Sequence, residues 1–150
     1  MSDIYVYKGT NVLIKSLHIK DPDVLELAEK EITTVRLRHI SKGILTEGFY
    51  DVDHYRQFHR YIFGDIYPWA GSLRTINIFK NERELNGYPL EFVDHDIVES
   101  HLNWIFTRMN ELPWASFSDN EGAHHLARVM SEIWRAHALR EYKNDDYLYK

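Results

Sequence analysis

Apolar residues recur at steps of three and four along most of this chain, and the pattern breaks once, over a β-branched stretch from Leu73 to Lys80. Helical spacing buries one stripe of a cylinder, whereas a strand buries alternate positions. A chain patterned this way is restricted to a mainly α fold carrying one β-hairpin. The first helix starts at Asp21, a side chain able to cap it, with Pro22 at the position where a missing N–H costs nothing. Its stripe is Leu25, Ala28, Ile32, Val35 and His39, and Lys42 and Gly43 stop it. A second helix follows Asp51, with Tyr55, Phe58, His59 and Ile62 on the buried side, and breaks at Gly64 or before Pro68. Leu73–Lys80 and Pro89–Val93 read as the two strands, and Asn86-Gly87 as a turn between them. Asp94 or Asp96 caps a third helix with Ile97, His101, Leu102, Ile105, Phe106 and Met109 inward, and Pro113 ends that segment. Ser118 and Glu121 form a capping box for a fourth. Ala123, Leu126, Ala127, Met130, Ile133, Trp134 and His137 share one of its faces.

The 150 residues suit a single domain, and 44% apolar with 14% aromatic content gives it a core to bury. A formal charge of −5 weighs against a dedicated nucleic-acid binder, which needs a basic surface. With no cysteine, disulfides, thiolate metal sites and a cysteine nucleophile are excluded. No apolar run is long enough to span a bilayer, and the first ten residues do not read as a signal peptide. The expectation is a soluble cytoplasmic protein.

Nine histidines invite a metal reading, but no pair stands at i, i+4 on a helix and no H-E-x-x-H occurs. His124 and His125 are adjacent and diverge by about 100° on a helix. There is no Gly-rich phosphate loop and no G-x-S-x-G. His137 ends the fourth helix on its apolar side. On physical grounds alone it reads first as a partly buried histidine with satisfied nitrogens; the alternative is a general base tuned to neutral pH.

The run Phe58-His59-Arg60-Tyr61-Ile62-Phe63-Gly64-Asp65-Ile66-Tyr67-Pro68-Trp69-Ala70-Gly71, followed by Leu73-Arg74-Thr75, closely resembles the opening of the Fic/Doc family core. Tyr5 to Leu13, Ile19 to Pro22, and Ser131-Glu132-Ile133-Trp134-Arg135-Ala136-His137 are similar to that family too, so the resemblance covers residues 4–141. It implies one Fic-like domain over residues 1–150, a helical core whose hairpin is the family's flap. It also implies a protein adenylyltransferase, which moves AMP from ATP onto a Tyr, Thr or Ser hydroxyl of a target protein. In the family's loop, His-x-Phe-x-Asp/Glu-Gly-Asn-Gly-Arg, His137 matches the base, Leu139 the Phe, and Glu141 the acidic residue that holds Mg²⁺ on the phosphates. Arg140 and the flap at Phe79 and Lys80 would lie near the nucleotide. The flap would hold a target segment in extended form by strand addition.

After Glu141 the chain departs from the family. It reads Tyr142-Lys143-Asn144-Asp145-Asp146 in place of Gly-Asn-Gly-Arg, and the nine residues after Glu141 do not supply the family's next helix, so the expectation is a core truncated after the active-site helix. Codons for this stretch can be chosen so that reading one base later restores a Fic-like loop, which suggests a frameshift; a diverged or deliberately cut C-terminus is the alternative. The stripe around Met130 and Trp134 would then stand partly uncovered, inviting self-association or partner capture. The family's inhibitory Ser/Thr-x-x-x-Glu-Gly/Asn signature is absent, which implies a separate small antitoxin or no regulation. The leading expectation is an impaired adenylyltransferase. The other is an inactive Fic-fold fragment that only binds a partner protein.

Overall fold

The computed structural model of the chain describes residues 17–19, 21–81, 89–136, 139 and 147–149. Four α-helices dominate: α1 (Pro22–Ser41), α2 (Val52–Phe63), α3 (Val98–Glu111) and α4 (Asp119–Ala136). Three short strands accompany them, β1 (Ile78–Asn81), β2 (Pro89–Glu91) and β3 (Tyr147–Tyr149). The fold class is mainly α, as the periodicity requires. The expected Asn86-Gly87 turn and the stretch from Tyr5 to Leu13 lie outside the described residues. Among the described residues no helix is long and apolar enough to cross a membrane.

The chain divides into two compact units. The first takes in α1, most of α2 and the turn as far as Ser72. Asp21 caps α1 by accepting from the Asp23 and Val24 amides at 2.9 and 3.1 Å, and Gly43 ends it at φ +97°. Leu25, Ala28, Ile32 and His39 are half-buried as the stripe requires, but Val35 is exposed. On α2 the expected stripe is likewise half-buried; the deepest positions are Val52 and His54, whose ring lies 2.6 Å from the Leu45 carbonyl through Nε2 and packs on Phe58. The turn after α2 carries the heart of this unit. Ile66, Tyr67, Trp69 and Ala70 are buried, Tyr67 stacks on Trp69 at 4.5 Å, and its hydroxyl donates to Glu29 on α1. Gly71 closes the turn against α2: its amide donates to His59 Nδ1 and its carbonyl accepts from Arg56 Nε.

The second unit spans Leu73 to Leu139 with a few flanking residues, and includes β3. Its sheet has the order β2-β1-β3, all antiparallel. Phe79 pairs with Glu91 on one side and Leu148 on the other. Both strands of the hairpin are shorter than the sequence suggests, because residues flanking the ladder spend their backbone elsewhere. Leu73 makes an isolated antiparallel bridge to Leu139. The Val93 amide donates to the Arg135 carbonyl at the end of α4. At the start of α3, neither Asp94 nor Asp96 caps. The N-cap position is Ile97, exposed and without a side-chain cap, and Asp94 instead accepts from the Asp96 amide. Val98, Leu102, Ile105 and Phe106 form the core of α3.

The capping box of α4 forms as its sequence requires, with the Ser118 amide donating to Glu121 and the Glu121 amide to Ser118 Oγ. The buried face is not the one expected. Leu126, Met130 and Trp134 are 48%, 62% and 51% exposed, and among the described residues of that stripe only Ile133 is half-buried. The helix turns a different and more polar side to α3: His125, Arg128, Val129 and Glu132 share a cleft with Trp104, Ile105, Arg108 and Leu112.

Arg74 ties this unit together. Its side chain is buried, and its guanidinium donates to the carbonyls of Ile76, Val93 and Ala136. These belong to the chain entering the hairpin, the chain leaving it, and the last turn of α4. A planar fork can serve three acceptors in different directions; an ammonium cannot hold the same spread. Each buried carbonyl left without a donor costs about 1–3 kcal/mol, so Arg74→Met should destabilise the chain by about 3 kcal/mol or more in urea unfolding, and Arg74→Lys should recover only part of it. In the first unit Gly71 sits at φ +75°, and a Cβ there would stand 2.7 Å from the Arg56 carbonyl. Gly71→Ala should cost at least about 2 kcal/mol by the same measurement, since left-handed strain and a backbone clash add.

Candidate functional site

The end of α4 is the part of the fold on which the sequence reading converges. Ala136 is fully buried there, and its carbonyl accepts from Arg74 Nη2 at 3.2 Å. Three residues on, Leu139 is buried and bridged to Leu73. These two anchors bracket His137, which lies outside the described residues, as do Arg140 and Glu141. The last carbonyls of α4 are taken by groups from other segments: Arg74 donates to that of Ala136, and the Val93 amide to that of Arg135. Carbonyls at a helix C-terminus carry partial negative charge, which a guanidinium offsets.

The hairpin residues singled out from sequence are placed in part. Phe79 lies in β1, half-buried, between Glu91 and Leu148. Lys80 follows it in β1, in register with Leu90 and Tyr147; its side chain lies outside what is described. The hairpin root and the end of α4 thus meet at one guanidinium. That arrangement brings a strand carrying Phe79 and Lys80 into the same unit as the chain that runs on to His137.

Sequence reasoning missed two features of this site. The first is the role of Arg74, which belongs to the Leu73-Arg74-Thr75 run of the family resemblance but takes no role from it; a buried tie between distant carbonyls leaves no local signal. The second is a polar cluster at the hairpin root. Asp94 accepts from the Asp96 amide and from Asn77 Nδ2, and these bonds, then the charges of His95 and Arg74, hold its carboxyl below the usual carboxylate range. Among the described residues, Asp94, His95 and Asp96 form the one cluster with metal-ligand chemistry. Its groups already engage each other and Asn77.

No family model matches the chain. It is 28% identical to the protein adenylyltransferase VbhT of Bartonella schoenbuchensis over 141 residues, which is 93% of this chain and 28% of that protein. It is 35% identical over 80 residues to the probable protein adenylyltransferase Fic of Escherichia coli, covering 53% of this chain and 38% of that one. The chain therefore spans well under half the length of these two relatives. The probable protein adenylyltransferase y4lH of Sinorhizobium fredii is 37% identical over 143 residues, 94% of this chain and 69% of that protein. Among solved structures, the N-terminal Fic domain of a putative cell filamentation protein with bound ADP, from Bartonella quintana, superposes with a TM-score of 0.78 at 21% identity, over 91% of this chain and 68% of that one. The fold is that of Fic domains. With a helical core, a hairpin rooted on the end of α4, and a relative this similar over most of both lengths, the chain belongs to the Fic family.

Proposed function

We propose that this chain is the core of a protein adenylyltransferase, one Fic-like domain that moves AMP from ATP to a hydroxyl side chain of a cytoplasmic target protein. What supports the reading most is the junction at Arg74, where the hairpin root and the α4 end that leads to His137 are held as one piece. In this reading the target's Tyr, Thr or Ser oxygen attacks the α-phosphorus of ATP, a new P–O ester bond forms, and the bond to pyrophosphate breaks. His137 takes the hydroxyl proton, since a group with a pKa far above 7 needs a base within hydrogen-bond reach. Lys80 and Arg140 neutralise phosphate charge, and Phe79 shapes the nucleotide side of the hairpin. Glu141 would hold Mg²⁺; one carboxylate plus substrate phosphates is an ordinary magnesium set. The bound ion would supply charge stabilisation at the phosphates. A small antitoxin contributing an inhibitory Glu is the regulation this family membership suggests.

Two observations favour a second reading, a Fic-fold module that binds a partner, or another copy of itself, without catalysis. Tyr142 to Asp146 replace the family's Gly-Asn-Gly-Arg, so Asp145 stands where a phosphate-binding Arg would be. Leu126, Met130 and Trp134 also leave an apolar stripe open on α4.

Incubation with ATP labelled at the α-phosphate and cell lysate separates the readings. The first expects labelled protein, reduced about 10²–10⁴-fold by His137→Ala with the fold retained. Unchanged labelling in that variant rejects His137 as the base, and no labelling by the unmodified chain favours the binding module. ATP affinity should be weak because Asp145 and Asp146 repel phosphate. Calorimetry with ATP and Mg²⁺ should show binding weaker than low micromolar; tighter binding would contradict the loop assignment.

A further inference from the structure

Trp104, Arg108 and Leu112 follow one another at four-residue steps on α3, and His125, Arg128 and Glu132 at three- and four-residue steps on α4, so each set forms a ridge along its helix. Between the ridges, and within the second unit, lies a cleft with a cavity of about 110 Å³. That is several times the ~30 Å³ share of one water, enough for a compact organic group. The Arg108 guanidinium stands over the Trp104 ring, 4.9 Å from its centre. Such stacking orients a guanidinium by its face and leaves its in-plane N–H donors available. Among the described residues, neither Arg108 nor Arg128 makes a hydrogen bond or an ion pair. The carboxylate of the cleft, Glu132, instead faces His101 Nε2 at 3.8 Å. His125 lies flat on Phe117, 4.5 Å between ring centres, and serves as a wall. Two arginines less one glutamate give the lining a charge of +1 with His125 neutral, in a chain whose net charge is −5.

We propose that the cleft between α3 and α4 binds a small organic acid, its carboxylate taken by Arg108 and Arg128 and its compact apolar or aromatic body lying on Trp104, Leu112 and Val129. The forked donors of arginine match the two oxygens of a carboxylate, and charge-assisted bonds of this kind are the strong ones. The apolar half of the site has surface to gain from a ligand: Trp104 is 49% exposed, and Leu112 and Val129 are half-buried over the buried Ile105. Glu132 sets the choice of anion. A single carboxylate balances the +1 of the lining, whereas a phosphate monoester, with nearly twice the charge, is repelled more strongly by Glu132. The size of the cavity favours a free acid over a folded partner. A ligand seated there bridges the two helices, and none of this depends on adenylyl transfer.

The test titrates phenylacetate into the whole chain at low ionic strength and follows ¹H–¹⁵N spectra. Saturable shifts should appear at the Trp104 indole and at the Arg108 and Arg128 side chains, with a Kd of about 1 mM or tighter. Arg108→Gln and Arg128→Gln should each weaken binding about tenfold or more, the size expected for a lost charge-assisted bond. Unshifted amides of Leu102 and Phe106 in those variants report that α3 keeps its packing. Phenyl phosphate should bind the unmodified chain more weakly than phenylacetate, and Glu132→Gln should narrow or reverse that order. The uncharged 2-phenylethanol should bind at least about tenfold more weakly than phenylacetate. Binding that survives both arginine substitutions, shifts that do not saturate or lie away from the cleft, or an equal affinity for 2-phenylethanol would overturn the proposal. So would a preference of the unmodified chain for phenyl phosphate, or an order of the two anions that Glu132→Gln leaves unchanged.

Discussion

The guanidinium of Arg74 is buried and donates to three backbone carbonyls, and the second unit is arranged around that fact. Taking a cation out of water costs several kcal/mol unless its donors are all used and opposite charge is near. Here the donors go to Ile76, Val93 and Ala136, the last of these a carbonyl at the negative end of an eighteen-residue helix. Asp94 adds a full negative charge within electrostatic range. These carbonyls belong to three segments, so a movement of any one of them takes an acceptor away from the charge. The hairpin and the end of α4 are coupled by necessity rather than by contact area.

The first unit solves a different problem, how to reverse the chain after α2 without an apolar helix to lean on. Gly71 takes a left-handed conformation and is pinned by Arg56 and His59 from the helix it has just left. Tyr67 reaches back to Glu29, and Ile66, Tyr67 and Trp69 fill the space inside. The stretch of sequence that carries the family resemblance most densely is therefore a packing element. Its residues are where they are because the turn needs them, which explains how fold can be read from them while chemistry cannot.

Local rules made much of the architecture legible. Asp21, Pro22 and Gly43 bound α1, and Ser118 with Glu121 starts α4, because caps act within four residues. What failed was long-range. Leu126, Met130 and Trp134 look like a core stripe in sequence, yet α4 turns its other side to α3, since periodicity names the faces of a helix but not which neighbour arrives. The strands came out short for a similar reason. Val93 would extend β2 by its residue type, but its amide and carbonyl are claimed by Arg135 and Arg74. Of the candidate site, Phe79 is placed in β1, and His137 is bracketed by Ala136 and Leu139.

The register of β3 has its own consequence for anything extended that approaches the hairpin. A strand has two rows of backbone donors and acceptors, and β1 has given one row to β2 and the other to β3. It is an interior strand, closed to newcomers. A peptide seeking to lengthen the sheet therefore meets one of two situations. It adds at an outer edge, beyond β3 or beyond β2, a strand that begins with proline and so offers one amide fewer, or it competes with Tyr147–Tyr149 for a place on β1 already filled from the same chain. The second is a contest between an intramolecular segment and a dissolved one. The tethered segment enters it with an effective concentration in the millimolar range, which a free peptide has to exceed before it gains the edge.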